Sequence, residues 1–180
     1  MRIISGSHKG RRLQAPKSLP VRPTTDMAKE GLMNILTNKY DIENLKILDL
    51  FSGTGNLSFE LASRGAQDII AVDSHLKCIK WITTTAKELG MDIITVKMDA
   101  FKFLEKTHET FDLIFADPPY NFVESQFKFL HNLIFENQLL EKDGLFIVEH
   151  ATQRDLSNFE NFHSQRKYGS SVFSFFQPEK

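Results

Sequence analysis

From residue 46 onward the chain alternates short apolar runs with longer amphipathic stretches. The runs are Lys46 to Phe51, Asp68 to Val72, Ile93 to Val96, Phe111 to Ala116 and Gly144 to Val148. Each is almost continuously apolar, without the strict alternation of a strand that faces water on one side. Strands of that kind are buried on both faces, as in a parallel sheet covered by helices. Between them, Leu57 to Arg64, Leu76 to Leu89, Phe101 to Lys106 and Glu124 to Asn137 carry helical patterns. The alternation predicts a doubly wound α/β domain. Beyond Asp155 the aromatic-rich tail, ending Ser170-Ser-Val-Phe-Ser-Phe-Phe176, predicts one or two further strands whose order periodicity does not specify.

The first forty-five residues are different in character. Arg2-Ile-Ile-Ser-Gly-Ser-His-Lys-Gly-Arg-Arg-Leu13 has two short strand-like pieces around glycines, the pattern of a small hairpin. Pro16, Pro20 and Pro23 predict an extended connector. Thr24 or Thr25 can then cap a helix to about Asn38, with Leu32, Ile35 and Leu36 on one side. We therefore expect two parts, a basic N-terminal hairpin and connector over residues 1–23 and one α/β domain over residues 24–180.

Composition changes this picture only locally. At 180 residues and 41% hydrophobic positions the chain can bury one substantial core, which leaves no room for a second full domain. The net charge is −1, yet Arg2, Lys9, Arg11, Arg12, Lys17 and Arg22 precede the first acid, Asp26. Such a concentration can neutralise phosphates on a nearly neutral protein, although a solvated arm would have the same composition. Cys78 is the only cysteine, so an intrachain disulfide is impossible and a reducing compartment is expected. No apolar run approaches membrane-spanning length, and a soluble cytoplasmic protein is the expectation.

The candidate chemistry clusters at the ends of the predicted strands. Asp49-Leu-Phe-Ser-Gly-Thr-Gly-Asn56 joins the first strand to a helix. Gly53, Thr54 and Gly55 would let the backbone turn sharply and approach a ligand, with N–H groups at the helix start facing it. Asp73 closes the second strand about twenty residues later, where a carboxylate can hold the two hydroxyls of a ribose or cap the next helix. Asp99, after the third strand, can accept from an adenine amino group with Ala100 N–H meeting a ring nitrogen, or cap the short helix that follows. These positions suit a nicotinamide dinucleotide or S-adenosylmethionine. Ser58, where the dinucleotide fingerprint has a third glycine, favours the second.

Asp117-Pro-Pro-Tyr120, after the fourth strand, is the most specific feature. Pro118 and Pro119 restrict the residues before them to extended conformations and offer no N–H, so a carboxylate and backbone carbonyls form a rigid group of acceptors. An exocyclic base amine has two hydrogens to donate, and Tyr120 offers a flat surface for an extruded base. The six histidines are scattered, without metal-ligand spacing. Phe122, Phe127, Phe129 and Phe135 are assigned to the core, with Phe122 and Asn121 near enough to border a substrate.

On these residues the chain resembles the RsmD family, bacterial methyltransferases for a guanine N2 in 16S ribosomal RNA. The resemblance includes Arg2-Ile-Ile-Ser-Gly6, Gly10-Arg-Arg-Leu13, Arg22-Pro-Thr-Thr-Asp26, Lys29-Glu-Gly-Leu-Met-Asn-Ile-Leu36, Asp49-Leu-Phe-Ser-Gly-Thr-Gly55, Ser63-Arg-Gly-Ala66, Phe111 to Tyr120 and Tyr168-Gly169. It implies a Rossmann-like, mostly parallel seven-stranded sheet of the class I S-adenosylmethionine-dependent type, without a metal. It also implies a monomer acting on 16S rRNA in the small ribosomal subunit or its precursor. Asp117, Pro118, Pro119 and Tyr120 would then be catalytic, and Asp49, Gly53, Thr54, Gly55, Asp73, Asp99 and Ala100 would bind the cofactor. Arg2, Lys9, Arg11, Arg12 and Arg22 would contact RNA. Lys29, Met33, Asn56 and Asp73 depart from the residues usual in the family. The competing expectations are a DNA adenine methyltransferase, which shares the Asp-Pro-Pro-Tyr element, a non-catalytic RNA-binding assembly factor, and more distantly a dehydrogenase.

Overall fold

In a computed structural model, residues 1–17, 19 and 25–179 are described. Pro20, Pro23 and Thr24, which the sequence assigns to the connector and the helix start, lie outside them. Helix α1 is Asp26–Lys39, and the Thr25 hydroxyl accepts from the Ala28 N–H as its cap. The elements that follow are β1 (Lys46–Leu50), α2 (Asn56–Ser63), β2 (Asp68–Asp73), α3 (Leu76–Leu89), β3 (Ile93–Lys97) and α4 (Ala100–Lys106). After them come β4 (Phe111–Ala116), α5 (Glu124–Glu136), β5 (Leu140–Ala151), β6 (Phe162–Tyr168) and β7 (Ser171–Phe176).

The seven strands form one sheet in the order β3-β2-β1-β4-β5-β7-β6. The first five are parallel, while β7 runs antiparallel between β5 and β6. The tail is therefore a hairpin whose second strand sits inside the first. Its turn lies beside the end of β5, because Ser171 pairs with Ala151. After β3 the chain returns to the centre to begin β4, which leaves a crevice between the carboxyl ends of β1 and β4.

Both faces of the sheet are covered. Ile47, Ile69, Leu113, Leu145, Ile147 and Phe173 pack under residues of α1 and α2. The alternate residues Leu48, Leu50, Ile114, Phe146 and Val148 pack against Leu104 of α4 and Phe127, Leu130 and Ile134 of α5. Double coverage explains why the central strands read as unbroken apolar runs. β3 differs from the expectation of full burial. It is an edge strand, and Ile94 is more than half exposed. Phe129 also departs from its assignment to the core, being exposed on α5, whereas Phe122 and Phe127 are buried.

The predicted N-terminal hairpin is not a pair of regular strands. Residues 1–13 fold back on themselves through one antiparallel bridge, Arg2 with Arg12, and the bonds Ile3 N–H to Arg11 O, Gly10 N–H to Ile3 O and Leu13 N–H to Met1 O. What fixes the segment is a buried clamp on α2. The Glu60 carboxylate accepts from the N–H groups of Ile4 at 2.8 Å and Ser5 at 3.1 Å. It also pairs with Lys29 at 3.3 Å and Arg64 at 2.9 Å. Lys29 in turn donates to the Arg2 carbonyl and the Asn56 side chain. Ser63 Oγ donates to Ser5 O and accepts from the His8 N–H. Among the described residues no helix is long and apolar enough to cross a membrane.

Candidate active site

A cavity of about 410 Å³ occupies the crevice at the carboxyl end of the sheet, within the range typical of small-molecule sites. Each central strand contributes to its wall: Asp49 from β1 with Gly53 and Thr54 beyond it, Asp73 from β2, Asp99 and Ala100 after β3, Asp117 to Tyr120 after β4 and Glu149 from β5. The topology thus gathers into one place residues spread over a hundred positions of sequence.

The loop after β1 is braced before any ligand arrives. Phe51 takes a left-handed conformation, φ 59°, which turns the chain sharply out of the strand. The Gly53 N–H donates to Asp73 at 2.8 Å, the Ser52 N–H to Val72 O and the Gly55 N–H to Ser52 O. The lone tryptophan, Trp81, donates its indole N–H to the Thr54 carbonyl at 3.0 Å. Fewer loop N–H groups face a ligand than the glycine pattern suggests, because the tight turn satisfies them internally. Gly55 does not line the cavity. Its φ is +73°, and a side chain there would meet Ile82 and Phe59 at 2.9 Å, so it permits the packing of α2 against α3.

Asp73 is buried and held by the Gly53 N–H on one oxygen and the His75 N–H on the other. It does not cap α3, whose preceding residue is His75. Asp99 serves as a cap, accepting from the Lys102 N–H at 3.2 Å, and lines the cavity as well. The two uses expected for it are compatible.

The electrostatics concentrate where β1, β4 and β5 end. Asp49 is buried, accepts from the Ser58 hydroxyl, and is pushed up to about 7 by burial, against the pull of that bond. Asp117 is raised well above the ordinary carboxylate range, first by desolvation and then by the negative charges of Glu149 and Asp49. Among the described residues, no lysine or arginine forms an ion pair with Asp49 or Asp117. A wall of this kind favours a cation.

Asp117-Pro-Pro-Tyr120 borders both this cavity and a recess of about 30 Å³ that opens from it. The Pro119 carbonyl is occupied by the Phe122 N–H at 2.9 Å, so the run of acceptors is shorter than the sequence suggests. Tyr120 is 72% exposed at the rim. Beneath it Phe122 stacks parallel to Phe101 at 5.8 Å and meets Phe51 edge-on at 5.5 Å.

Sequence reasoning missed Glu149, Arg154, Ser170 and Ser171, which also line the recess. A carboxylate closing the apolar run Leu145-Phe-Ile-Val-Glu149 was the available signal. His150 borders the recess but is committed to structure. Burial pushes its pKa down, and its ring bridges Ala151 O at 3.0 Å and Ser174 Oγ at 2.8 Å.

The basic residues divide. Lys9, Arg11 and Arg12 are exposed and form no ion pair with another described residue. Arg2 is engaged with Asp26 at 3.2 Å, and Arg22 lies outside the described residues.

Comparison with known proteins finds relatives named as methyltransferases. The chain is 40% identical over 161 residues to the Bacillus subtilis protein named "Putative rRNA methyltransferase YlbH", covering 87% of this chain and 85% of that one. It is 27% identical over 183 residues to "Ribosomal RNA small subunit methyltransferase D" of Escherichia coli K12, covering 99% and 90%. Among solved structures, the Escherichia coli protein titled "Putative methyltransferase yhhF" superposes with a TM-score of 0.86 at 28% identity, covering 99% of this chain and 98% of that one. The family model described as "Conserved hypothetical protein 95" matches residues 1–177, and the chain belongs to that family, the RsmD family of methyltransferases.

Proposed function

We propose that the protein transfers a methyl group from S-adenosylmethionine to the exocyclic N2 amine of a guanine in 16S rRNA of the small ribosomal subunit. One observation carries the reading. The rigid Asp117-Pro-Pro-Tyr120 turn and the glycine loop border a single cavity whose wall holds a buried Asp49 and a half-buried Asp117, both raised in pKa and so favouring positive charge beside them. The relatives named as rRNA methyltransferases support rRNA as the substrate class.

The residues fit the cofactor by the chemistry of their donors and acceptors. Asp73 keeps acceptor capacity for ribose hydroxyls while its other lone pairs brace the loop. Asp99 and Ala100 border the space for the adenine, and Thr54 and Asp49 that for the amino-acid end. When bound, S-adenosylmethionine supplies an electrophilic methyl on a positively charged sulfur and leaves as S-adenosylhomocysteine.

The chain supplies orientation and a proton acceptor. An aromatic amine is nucleophilic only when its lone pair is turned out of conjugation and toward the methyl group, and the Asp117 carboxylate with the Pro118 carbonyl can impose this by accepting its two hydrogens. Tyr120 stacks on the extruded base. As the new nitrogen–carbon bond forms, positive charge develops on the nitrogen beside Asp117, which stabilises it and receives the released proton. The elevated pKa of Asp117 assists that final step. Exposed Lys9, Arg11 and Arg12, on a segment clamped to the domain, would neutralise rRNA phosphates.

The test is methylation of small subunits from a strain lacking the modification, followed by mass mapping of the product nucleotide. A single N2-methylguanine in 16S rRNA is expected. Incorporation into duplex DNA alone would establish the adenine methyltransferase instead, and binding without incorporation would establish an assembly factor.

A further inference from the structure

Glu149 lies one residue beyond the paired Ala116 and Val148, on adjacent parallel strands, which brings it beside Asp117 on the same face of the sheet. It is 8% exposed and lines both the main cavity and the recess. The recess is also lined by Arg154, whose Nη2 donates to the Phe122 carbonyl at 2.8 Å, and by the hydroxyl-bearing Ser170 and Ser171. The two serines come from the β6–β7 turn, and α1 sets that turn in place. Gly31 leaves room for the Tyr168 ring, which a Cβ there would meet at 2.2 Å.

The lining thus combines two adjacent carboxylates with a guanidinium and two hydroxyls. The recess itself is too small for a base, so it marks where the edge of one bound in the main cavity meets the protein. Guanine presents N1–H and N2–H donors side by side with the O6 acceptor next to them. Adenine presents an acceptor at N1. Two carboxylates aligned in register complement the first edge and repel the second.

Resting on the methyltransferase reading above, we propose that Glu149 is the specificity-determining residue, accepting the N1–H of guanine while Asp117 accepts from N2, with Arg154 and Ser170 on the O6 side. Asp117 alone would accept any exocyclic amine. Glu149 makes the site a guanine site.

The experiment uses small subunits reconstituted with 16S rRNA that carries either guanine or 2-aminopurine at the mapped position. 2-Aminopurine keeps the amine but has a lone pair in place of N1–H and a C–H in place of O6, so the Glu149→Gln variant, which leaves the O6 side untouched, isolates the N1 contact. The wild type is expected to methylate guanine about a hundredfold faster, since a site built to receive a hydrogen rejects an analogue lacking it. Glu149→Gln can turn an amide N–H toward that lone pair. It is expected to lose roughly tenfold on guanine and gain on 2-aminopurine, reversing or erasing the preference. A structural role for Glu149 would depress both substrates together, and equal wild-type rates on both would overturn the proposal. No methylation of guanine by the wild type would instead overturn the methyltransferase reading on which it rests.

Discussion

Around Glu60 every buried charge touches an opposite one, whereas Asp49, comparably enclosed, and the half-buried Asp117 have no lysine or arginine partner among the described residues. The first group is Lys29, Glu60 and Arg64, with two backbone N–H groups completing the carboxylate. Its two cations share one carboxylate, which joins the N-terminal segment to α1 and α2, and burial still pulls Lys29 below its ordinary value. The second group is left with its desolvation cost standing, and that cost surfaces as raised carboxylate pKa values. The difference separates charge that holds the fold from charge that waits for a partner.

Removing one member from each group should have opposite signatures. Asp117→Ala is expected to slow methyl transfer by at least about a thousandfold, equivalent to roughly 4 kcal/mol, because the group that meets the developing charge is lost. Cofactor affinity by calorimetry should stay within about threefold and the melting temperature should not fall, since a half-buried carboxylate crowded by Glu149 and Asp49 is removed. A cofactor affinity that collapses with the rate would erase the distinction.

Glu60→Ala should do the reverse. Stripping a buried pair of one partner leaves Lys29 isolated in the interior and costs about 3–4 kcal/mol, or on the order of 10 °C in melting temperature for a chain of this size. Protease cleavage within residues 1–13 should also accelerate. A melting temperature within a degree or two of wild type would show that the clamp contributes little.

The third expectation concerns pH. Asp49 binds its proton more tightly when folded, near 7, than when unfolded, near 4. Its contribution to stability is therefore fully present below about pH 4 and lost as pH rises through about 7, and Asp117 shifts in the same direction. A bound sulfonium offsets that loss. S-adenosylmethionine should raise the melting temperature by several degrees more at pH 8 than at pH 5, and S-adenosylhomocysteine, which lacks the sulfonium charge, should show a smaller difference. Equal increments at both pH values for both compounds would contradict a charge-driven site.

The two groups were not equally legible in the sequence. Asp73 and Asp117 stand where an apolar run stops, Asp99 just past one and Asp49 inside one near its end, and a parallel sheet brings such positions to one edge whatever its details. Glu149 directly follows the expected run Gly144–Val148 and so carried the same signal, although β5 itself extends to Ala151. Lys29 and Glu60 gave no signal. They are thirty-one positions apart, each on a short helix, and either reads as a solvated residue until α1 and α2 are packed together. The β6–β7 hairpin was half visible. Its apolar residues announced strands, but its insertion beside β5 depends on long-range pairing that periodicity does not encode. Gly55 stood out in the sequence because it lacks a Cβ, and the structure shows a positive φ there together with a close approach of Ile82 on α3.

The bond from Trp81 to the Thr54 carbonyl gives the molecule an optical property. With a single indole beside three tyrosines in the chain, emission excited selectively from tryptophan has one source, and that source is hydrogen-bonded to the backbone of the loop that borders the cavity. Emission from the unlabelled protein is thereby a direct reading of that loop, and stopped-flow traces can time its occupancy without an added dye.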